Sequence, residues 1–118
     1  MPGDKIVYPR NLPQYEELLR KENRLVVVMF TKNDCGSCDN ILPHVQYLSN
    51  ICPKVLFIVI NTGLPKFASL AKDIKVFPTF KFYKNRQLAA TVVGAFQQKL
   101  DENVEKLSFD KHTVTLIT

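Results

Sequence analysis

The sequence predicts an α/β fold in which helices cover both faces of a mixed β-sheet. Residues 25–31 and 54–60 are nearly continuous apolar runs rich in β-branched side chains, as is typical of strands that are buried on both faces. Residues 79–83 and 88–93 predict a hairpin that turns across residues 84–87. The segments before, between and after these strands carry apolar residues at helical spacing.

The first part of the chain predicts a strand, a helix and a second strand. Residues 5–8 are expected to form a short first strand that ends at Pro9. Asn11 is a suitable N-cap, and Pro13 fits the first turn of the helix that follows. This helix ends at residues 23–24, directly before the buried strand at 25–31.

The rest of the chain predicts three more helices. One follows residue 35, has Pro43 inside it as an expected kink, and is followed by the strand at 54–60. Pro65 opens a short helix that runs through Ala71. Gly94 ends the hairpin, and the apolar stripe of the last helix is formed by Phe96, Leu100, Val104 and Leu107. The expected sheet has about five strands, flanked by four helices.

Length limits the chain to one domain, because 118 residues can bury a single core. We expect this domain to span residues 1–108 and residues 109–118 to form a mobile C-terminal extension, with pairing as an edge strand from His112 onward as the alternative. No apolar run approaches the roughly 20 residues of a membrane helix. Three cysteines are too few for a secreted disulfide scaffold, and the first residues lack the features of a signal peptide. These features favour the cytoplasm, with the nucleus as a further possibility.

The net charge of +5 bears on the choice of partner. The sixteen lysines and arginines are scattered, although Lys81, Lys84 and Arg86 lie close together around the predicted hairpin. Binding of nucleic acid would require a clustered basic face. That function remains an alternative which only the charge supports.

The candidate chemistry lies in Cys35 and Cys38, which are separated by two residues where a strand gives way to a helix. A helix N-terminus carries free N–H groups and partial positive charge, which favour a thiolate. We expect Cys35 to be exposed enough to attack a disulfide and Cys38 to release the product. A metal site would need a second ligand pair, and an iron–sulfur cluster would have to be shared between two chains.

Two further residues of suitable chemistry lie outside this pair. Cys52, near the end of the second helix, is expected to be a buried or half-buried structural thiol, with regulatory oxidation as the alternative. His44 is six residues after Cys38, which is the wrong helical spacing for shared ligation. We therefore expect it to be an ordinary surface histidine, and no metal is expected.

The chain resembles the eukaryotic thioredoxins, in order and spacing, over roughly residues 5–108. The features that carry the resemblance are residues 25–28 leading into 35–38, Pro43 within the helix, residues 76–80, and Gly94 with Ala95. The resemblance implies the thioredoxin fold and a protein-disulfide reductase.

The resemblance also implies roles for individual residues. Cys35 corresponds to the attacking thiol, Cys38 to the resolving thiol, and Pro78 to a cis-proline that packs beside them. The backbone of Phe77 would pair with an extended substrate segment. The other positions implied in substrate binding are Asp34, Gly36, Ser37, Gly94 and Ala95.

Thioredoxins carry no bound cofactor and are usually reduced by an NADPH-dependent flavoprotein reductase. The partners implied are therefore this thioredoxin reductase and disulfide-containing client proteins. We expect the chain to be a monomer.

Three polar substitutions near the cysteines depart from the family pattern. Asp34 stands where thioredoxins have tryptophan, and Asp39 where lysine is usual. At about 6 Å and an effective dielectric of roughly 40, one such charge is worth on the order of 1.4 kcal/mol. Both should raise the pKa of Cys35. Ser37 replaces the motif proline, which loosens the turn and restores a backbone N–H that could bond a sulfur.

Met29 replaces the buried aspartate that is thought to relay a proton to or from the resolving cysteine. Methionine cannot take up a proton, so the resolving step would have to use water as its base and turnover should be slower. Alternatively, Met29 simply fills the core and removes a costly buried acid. The two interpretations are compatible.

Three functions are therefore to be distinguished. The cysteine pair favours a protein-disulfide reductase. A thioredoxin-fold binding module would use the groove beside Pro78 without redox turnover. A basic thioredoxin associated with chromatin or RNA would bind nucleic acid in a salt-dependent way.

Overall fold

The computed structural model of the protein describes residues 3–109. Its elements, in chain order, are α1 (Leu12–Lys21), β1 (Leu25–Thr31), α2 (Gly36–Ile51), β2 (Val55–Asn61), a 3₁₀ helix (Pro65–Ala71), β3 (Thr79–Lys84), β4 (Gln87–Val93) and α3 (Gln97–Ser108). None of the helices in this part of the chain is long and apolar enough to cross a membrane. The predicted mobile extension lies outside the described residues, except for Phe109.

The sheet is mixed, as predicted, and its strands lie in the order β2-β1-β3-β4. β1 runs parallel to β2 and antiparallel to β3, and β3 pairs with β4 as an antiparallel hairpin. β1 is therefore flanked by a strand on each side. At the centre of the sheet, Met29 lies between Val59 of β2 and Phe80 of β3.

The expected number of about five strands is one too many, since residues 5–8 do not form a full strand. Only Val7 pairs with the sheet, where it bridges to Ile58. The N–H of Val7 donates to the carbonyl of Phe57 at 2.9 Å, and its own carbonyl accepts from Val59 at 3.1 Å. Pro9 follows two residues later and has no N–H with which to extend the pairing.

Side chains of β1 alternate between two apolar clusters, one on each face of the sheet. Leu25, Val27 and Met29 pack with residues of α2 and α3. Val26, Val28 and Phe30 face the other way, where Tyr15 of α1 and Phe67 of the 3₁₀ helix cover them. Because successive side chains of a strand point to opposite faces, a fully apolar β1 requires helices on both sides. The prediction of a two-sided helical cover is confirmed.

The connection from α1 to β1 is held by a charged pair. Glu22 accepts hydrogen bonds from the side chain of Arg24, at 3.0 Å from Nε and 2.8 Å from Nη2, and from two backbone N–H groups. The side-chain hydrogen bond from Arg24 is the main cause that lowers the pKa of Glu22 to about 2. This carboxylate therefore fixes the direction in which the chain leaves α1 and enters the central strand.

Candidate active site

The two cysteines lie where β1 passes into α2, as the sequence predicts. Cys35 is the N-cap residue of α2, and its Sγ accepts a hydrogen bond from the N–H of Cys38 at 3.2 Å. Asp34, which precedes it, has a φ of 54°, in the left-handed region that aspartate tolerates better than most residues do. This turn directs the chain from the sheet into the helix and places a sulfur at the helix N-terminus.

Cys35 and Cys38 form a disulfide, with 5.3 Å between their Cα atoms. The pair is therefore close enough to cycle between a dithiol and a disulfide. In this disulfide form 7% of Cys35 is exposed, against 2% of Cys38, so Cys35 is the outer member of the pair. That Cys35 is exposed enough to attack a disulfide once it is reduced stays a prediction.

A second loop meets the cysteines through Phe77 and Pro78. The peptide bond between these two residues is cis, as the resemblance to thioredoxins implies. The carbonyl of Pro78 accepts a hydrogen bond from the N–H of Gly94 at 2.8 Å. Gly94 and Pro78 are therefore brought together, and Ala95 follows them as an exposed residue. The family resemblance implies three segments in substrate binding: residues 34–37, 77–78 and 94–95. This hydrogen bond brings the second and third of them together.

Ser37 supplies the link between the cysteine turn and this second loop. Its hydroxyl donates to the carbonyl of Phe77 at 3.1 Å and lies 3.6 Å from the Sγ of Cys35. In the described residues, the backbone N–H that donates to this sulfur is that of Cys38, and Ser37 contributes its hydroxyl instead of the expected N–H. The sequence shows the serine but not its contact with a residue forty positions away.

Exposed apolar side chains lie beside Phe77 and Gly94 in the chain, where Val76 precedes Phe77, Val93 precedes Gly94 and Phe96 follows it. Val76, Val93 and Phe96 are each about half exposed, at 48%, 51% and 52%. The assignment of Phe96 to the core-facing stripe of the last helix is wrong, because Phe96 precedes α3 as its N-cap residue. Its ring lies over Gly94, where an added Cβ would be 2.7 Å from the ring. These apolar side chains therefore form part of the surface. The sequence pattern alone could not distinguish them from residues of the core.

A lysine ammonium lies over each of two aromatic rings in this region. The Nζ of Lys32 is 5.3 Å from the centre of the Phe77 ring, and that of Lys99 is 4.8 Å from the Phe96 ring. Such cation–π contacts contribute roughly 0.5–1 kcal/mol at exposed sites. They hold positive charge close to the loop that carries Pro78.

The outer side of the cysteine turn is polar and the inner side is apolar. Asp34 and Asp39 are both exposed, so water screens their charges and their effect on Cys35 is smaller than a dielectric of 40 suggests. Met29 is 2% exposed and belongs to the same apolar cluster as both cysteines. Within residues 3–109 no carboxylate is buried, and the buried polar residues are Ser49, Thr62 and Thr79.

Among the residues that the structure describes, no three His, Cys, Asp or Glu side chains cluster closely enough to hold a metal ion. His44 is not the ordinary surface histidine that the sequence predicts. Its side chain is 16% exposed, and its Nε2 lies 2.6 Å from a carboxylate oxygen of Asp101 on α3. Cys52 is half-buried, as expected, and burial, with a smaller contribution from Asp101, raises its pKa. The contact between His44 and Asp101 thus joins the middle of α2 to α3.

Comparison with known proteins gives a consistent result. The family model described as Thioredoxin matches residues 7–106. Thioredoxin from Gallus gallus is 36% identical over 98 residues, which cover 82% of this chain and 93% of that protein. The crystal structure of thioredoxin NaTrxh from Nicotiana alata matches with a TM-score of 0.83 over 92% of this chain and 97% of that one. At 21% identity this last match concerns the fold alone.

One relative is much longer than this chain. The peptide-N(4)-(N-acetyl-beta-glucosaminyl)asparagine amidase of Caenorhabditis briggsae is 35% identical over 97 residues, or 80% of this chain. The match spans only 16% of that protein. The similarity is therefore confined to one part of the amidase.

Proposed function

The chain belongs to the thioredoxin family, and from this membership we propose that it reduces disulfide bonds in client proteins as a thiol–disulfide oxidoreductase. The observation that carries the proposal is the bridged pair of Cys35 and Cys38 at the N-terminus of α2. A pair that already forms one disulfide has the geometry needed to give up two electrons and to be reduced again.

In the proposed cycle, the thiolate of Cys35 attacks one sulfur of a client disulfide. A bond forms between Cys35 Sγ and that client sulfur, while the client S–S bond breaks and its other sulfur leaves as a thiolate. Cys38 then loses its proton and attacks Cys35 Sγ. The Cys35–Cys38 disulfide forms, the mixed disulfide breaks, and the second client sulfur leaves as a thiolate.

Features of the structure support Cys35 as the attacking residue. It is the outer cysteine of the pair and the N-cap residue of α2, where the helix dipole favours negative charge. The N–H of Cys38 donates to its sulfur and stabilises a thiolate further. Cys38 is almost completely buried, which suits a thiol that meets only a sulfur already attached to Cys35.

The client is proposed to bind across Phe77, Pro78 and Gly94. An extended segment can pair with the backbone of Phe77, while the apolar side chains around Gly94 contact its side chains. Gly36 and Ala95 are exposed at this surface and allow a polypeptide backbone to approach closely. The exposed charge of Asp34 takes the place of the tryptophan that thioredoxins use as a contact surface here.

The electrons are proposed to come from NADPH through a thioredoxin reductase, a flavoprotein that reduces the Cys35–Cys38 disulfide. The chain itself is proposed to hold no cofactor. We place this cycle in the cytoplasm or nucleus, where a reducing glutathione pool keeps client thiols reduced.

The test is reduction of insulin disulfides, with dithiothreitol or NADPH and thioredoxin reductase as the electron source. Cys35→Ser should abolish turnover, whereas Cys52→Ser should retain it because Cys52 lies at the far end of α2. Cys38→Ser should accumulate a mixed disulfide with insulin, detectable by mass spectrometry. Turnover by Cys35→Ser at the rate of the parent would contradict the proposal.

A further inference from the structure

The Ser37 hydroxyl lies between two acceptors and has one hydrogen to donate. The carbonyl oxygen of Phe77 is 3.1 Å away and the Sγ of Cys35 is 3.6 Å away. Both distances fall within the range of hydrogen bonds to oxygen and to the larger sulfur atom. The side chain is exposed, so the hydroxyl is free to rotate about its Cβ–Oγ bond.

The two acceptors differ in strength according to the state of the cysteines. In the disulfide form the sulfur is neutral and a weak acceptor, so the hydrogen goes to the Phe77 carbonyl. In the reduced form a Cys35 thiolate carries a full negative charge, and hydrogen bonds to ionised acceptors are about twice as strong as neutral ones. The balance between the two acceptors therefore reverses when the disulfide is reduced.

We propose that Ser37 stabilises the Cys35 thiolate by moving its hydroxyl hydrogen bond from the Phe77 carbonyl to the Cys35 sulfur on reduction. This inference rests on the proposed function in that Cys35 is the nucleophile. It assigns to Ser37 a role that the proline at this motif position could not fill, because proline has neither a hydroxyl nor an N–H.

The same switch ties client binding to the redox state. In the reduced protein, the Phe77 carbonyl has given up its bond from Ser37 and is open to a backbone N–H of the client. Once Cys35 Sγ has entered a disulfide it is neutral, and the hydroxyl returns to the carbonyl; since the oxygen can accept two hydrogen bonds, it then divides its acceptor strength between Ser37 and the client. The substrate class is therefore an extended segment that carries a free backbone N–H beside its disulfide, and its reduced form is released.

The test measures the pH dependence of Cys35 alkylation by iodoacetamide in protein reduced with dithiothreitol, in a Cys52→Ser background. Ser37→Ala should move the midpoint of the profile to higher pH and slow alkylation at pH 7 by about threefold to tenfold, the difference between a hydrogen bond to an anion and the bond to the Phe77 carbonyl that it replaces. Ser37→Thr keeps a hydroxyl and should remain within about twofold of the parent. Ser108→Ala on α3 is the matched control and should leave the profile unchanged.

Two results would overturn the proposal. One is a Ser37→Ala profile identical to the parent, and the other is an equal shift in Ser37→Ala and Ser37→Thr, which would indicate a loss of packing. Alkylation needs neither client nor reductase, so a negative result here leaves the insulin assay of Cys35→Ser to decide the proposed function separately.

The other half of the switch is measured at the Phe77 carbonyl. Its ¹³C chemical shift should differ between the oxidised and reduced parent protein, and Ser37→Ala should reduce that difference. An unchanged difference in Ser37→Ala would show that the hydroxyl does not exchange between the two acceptors.

Discussion

Met29→Asp tests what an acidic side chain would do in the apolar cluster that contains the two cysteines. Met29 is 2% exposed, lies between β2 and β3, and shares an apolar cluster with Cys35 and Cys38. The substitution puts a carboxyl into this cluster, where no other carboxylate is buried within the described residues. It therefore changes both the stability of the core and the proton chemistry near the resolving cysteine.

The loss of stability has two parts. Truncating a buried methionine costs about 2–5 kcal/mol, and a carboxyl without a partner adds roughly 1–3 kcal/mol even when it is protonated. Burial raises the folded-state pKa of the introduced group above its unfolded value of about 3.9. Above pH 4 the folded state then holds a proton that the unfolded state has lost. Stability should fall by about 1.4 kcal/mol for each pH unit, until the folded-state pKa is reached.

Urea unfolding from pH 4 to pH 8 measures this effect, with Met29→Leu as the volume-conserving control that should lose less than about 1.5 kcal/mol. A Met29→Asp variant whose stability follows the pH dependence of the parent would refute the description of this site as dry and apolar.

The same variant tests whether Met29 slows the catalytic cycle. Above its raised pKa the introduced group is a carboxylate in the cluster that holds Cys38 and can accept the proton of Cys38 in the resolving step, so turnover of insulin per folded molecule should rise above that of the parent there. The rate is compared at a pH where both proteins are folded. A turnover equal to or below that of the parent and of Met29→Leu would show that proton removal from Cys38 does not limit the rate.

Four further substitutions have expected outcomes. The pKa of Glu22 is lowered to about 2, so the stabilisation that its carboxylate provides is present above about pH 4.5 and is lost as the pH falls towards 2. Glu22→Gln should remove this pH dependence, which amounts to about 1 kcal/mol after screening by water. Urea unfolding at several pH values measures it. Gly94→Ala places a Cβ 2.7 Å from the ring of Phe96 at a residue with a φ of 100°, and it should lower the free energy of unfolding by about 1–3 kcal/mol. The Cβ of Gly36→Ala meets no atom within 4 Å, so this control should change the free energy of unfolding by less than about 1 kcal/mol. Asp34→Asn removes an exposed negative charge and should speed alkylation of Cys35 at pH 7 by up to about threefold, so an unchanged or slower rate would contradict the assigned effect.

Much of the fold could be predicted because the relevant signals are local. The apolar run at 25–31 specifies a strand buried on both faces, and that burial requires helices on both sides of the sheet. Asn11 caps α1, with its side chain accepting from the N–H of Gln14 at 2.9 Å. The first strand failed for an equally local reason, since only Val7 lies in position to pair before the chain reaches Pro9.

The parts of the site that escaped prediction depend on contacts between distant residues. Ser37 meets Phe77 only because the fold brings the first turn of α2 to the loop that precedes β3. His44 meets Asp101 across 57 positions in the same way. Phe96 shows a different limit, because an apolar residue at helical spacing packs equally well into a core or over the glycine of a binding surface.

The polarity of the two sides of the cysteine pair decides where protons can go. On the inner side, Met29 cannot take up a proton, and no carboxylate is buried among residues 3–109. On the outer side, the Ser37 hydroxyl lies 3.6 Å from the Cys35 sulfur and is itself in contact with solvent. In the proposed cycle, the exchange of protons with the cysteine pair therefore takes place on the outer, solvent-exposed side. The Cys35 thiolate is then stabilised by the Ser37 hydroxyl, the Cys38 N–H and the N-terminus of α2, and the proton of Cys38 leaves to water.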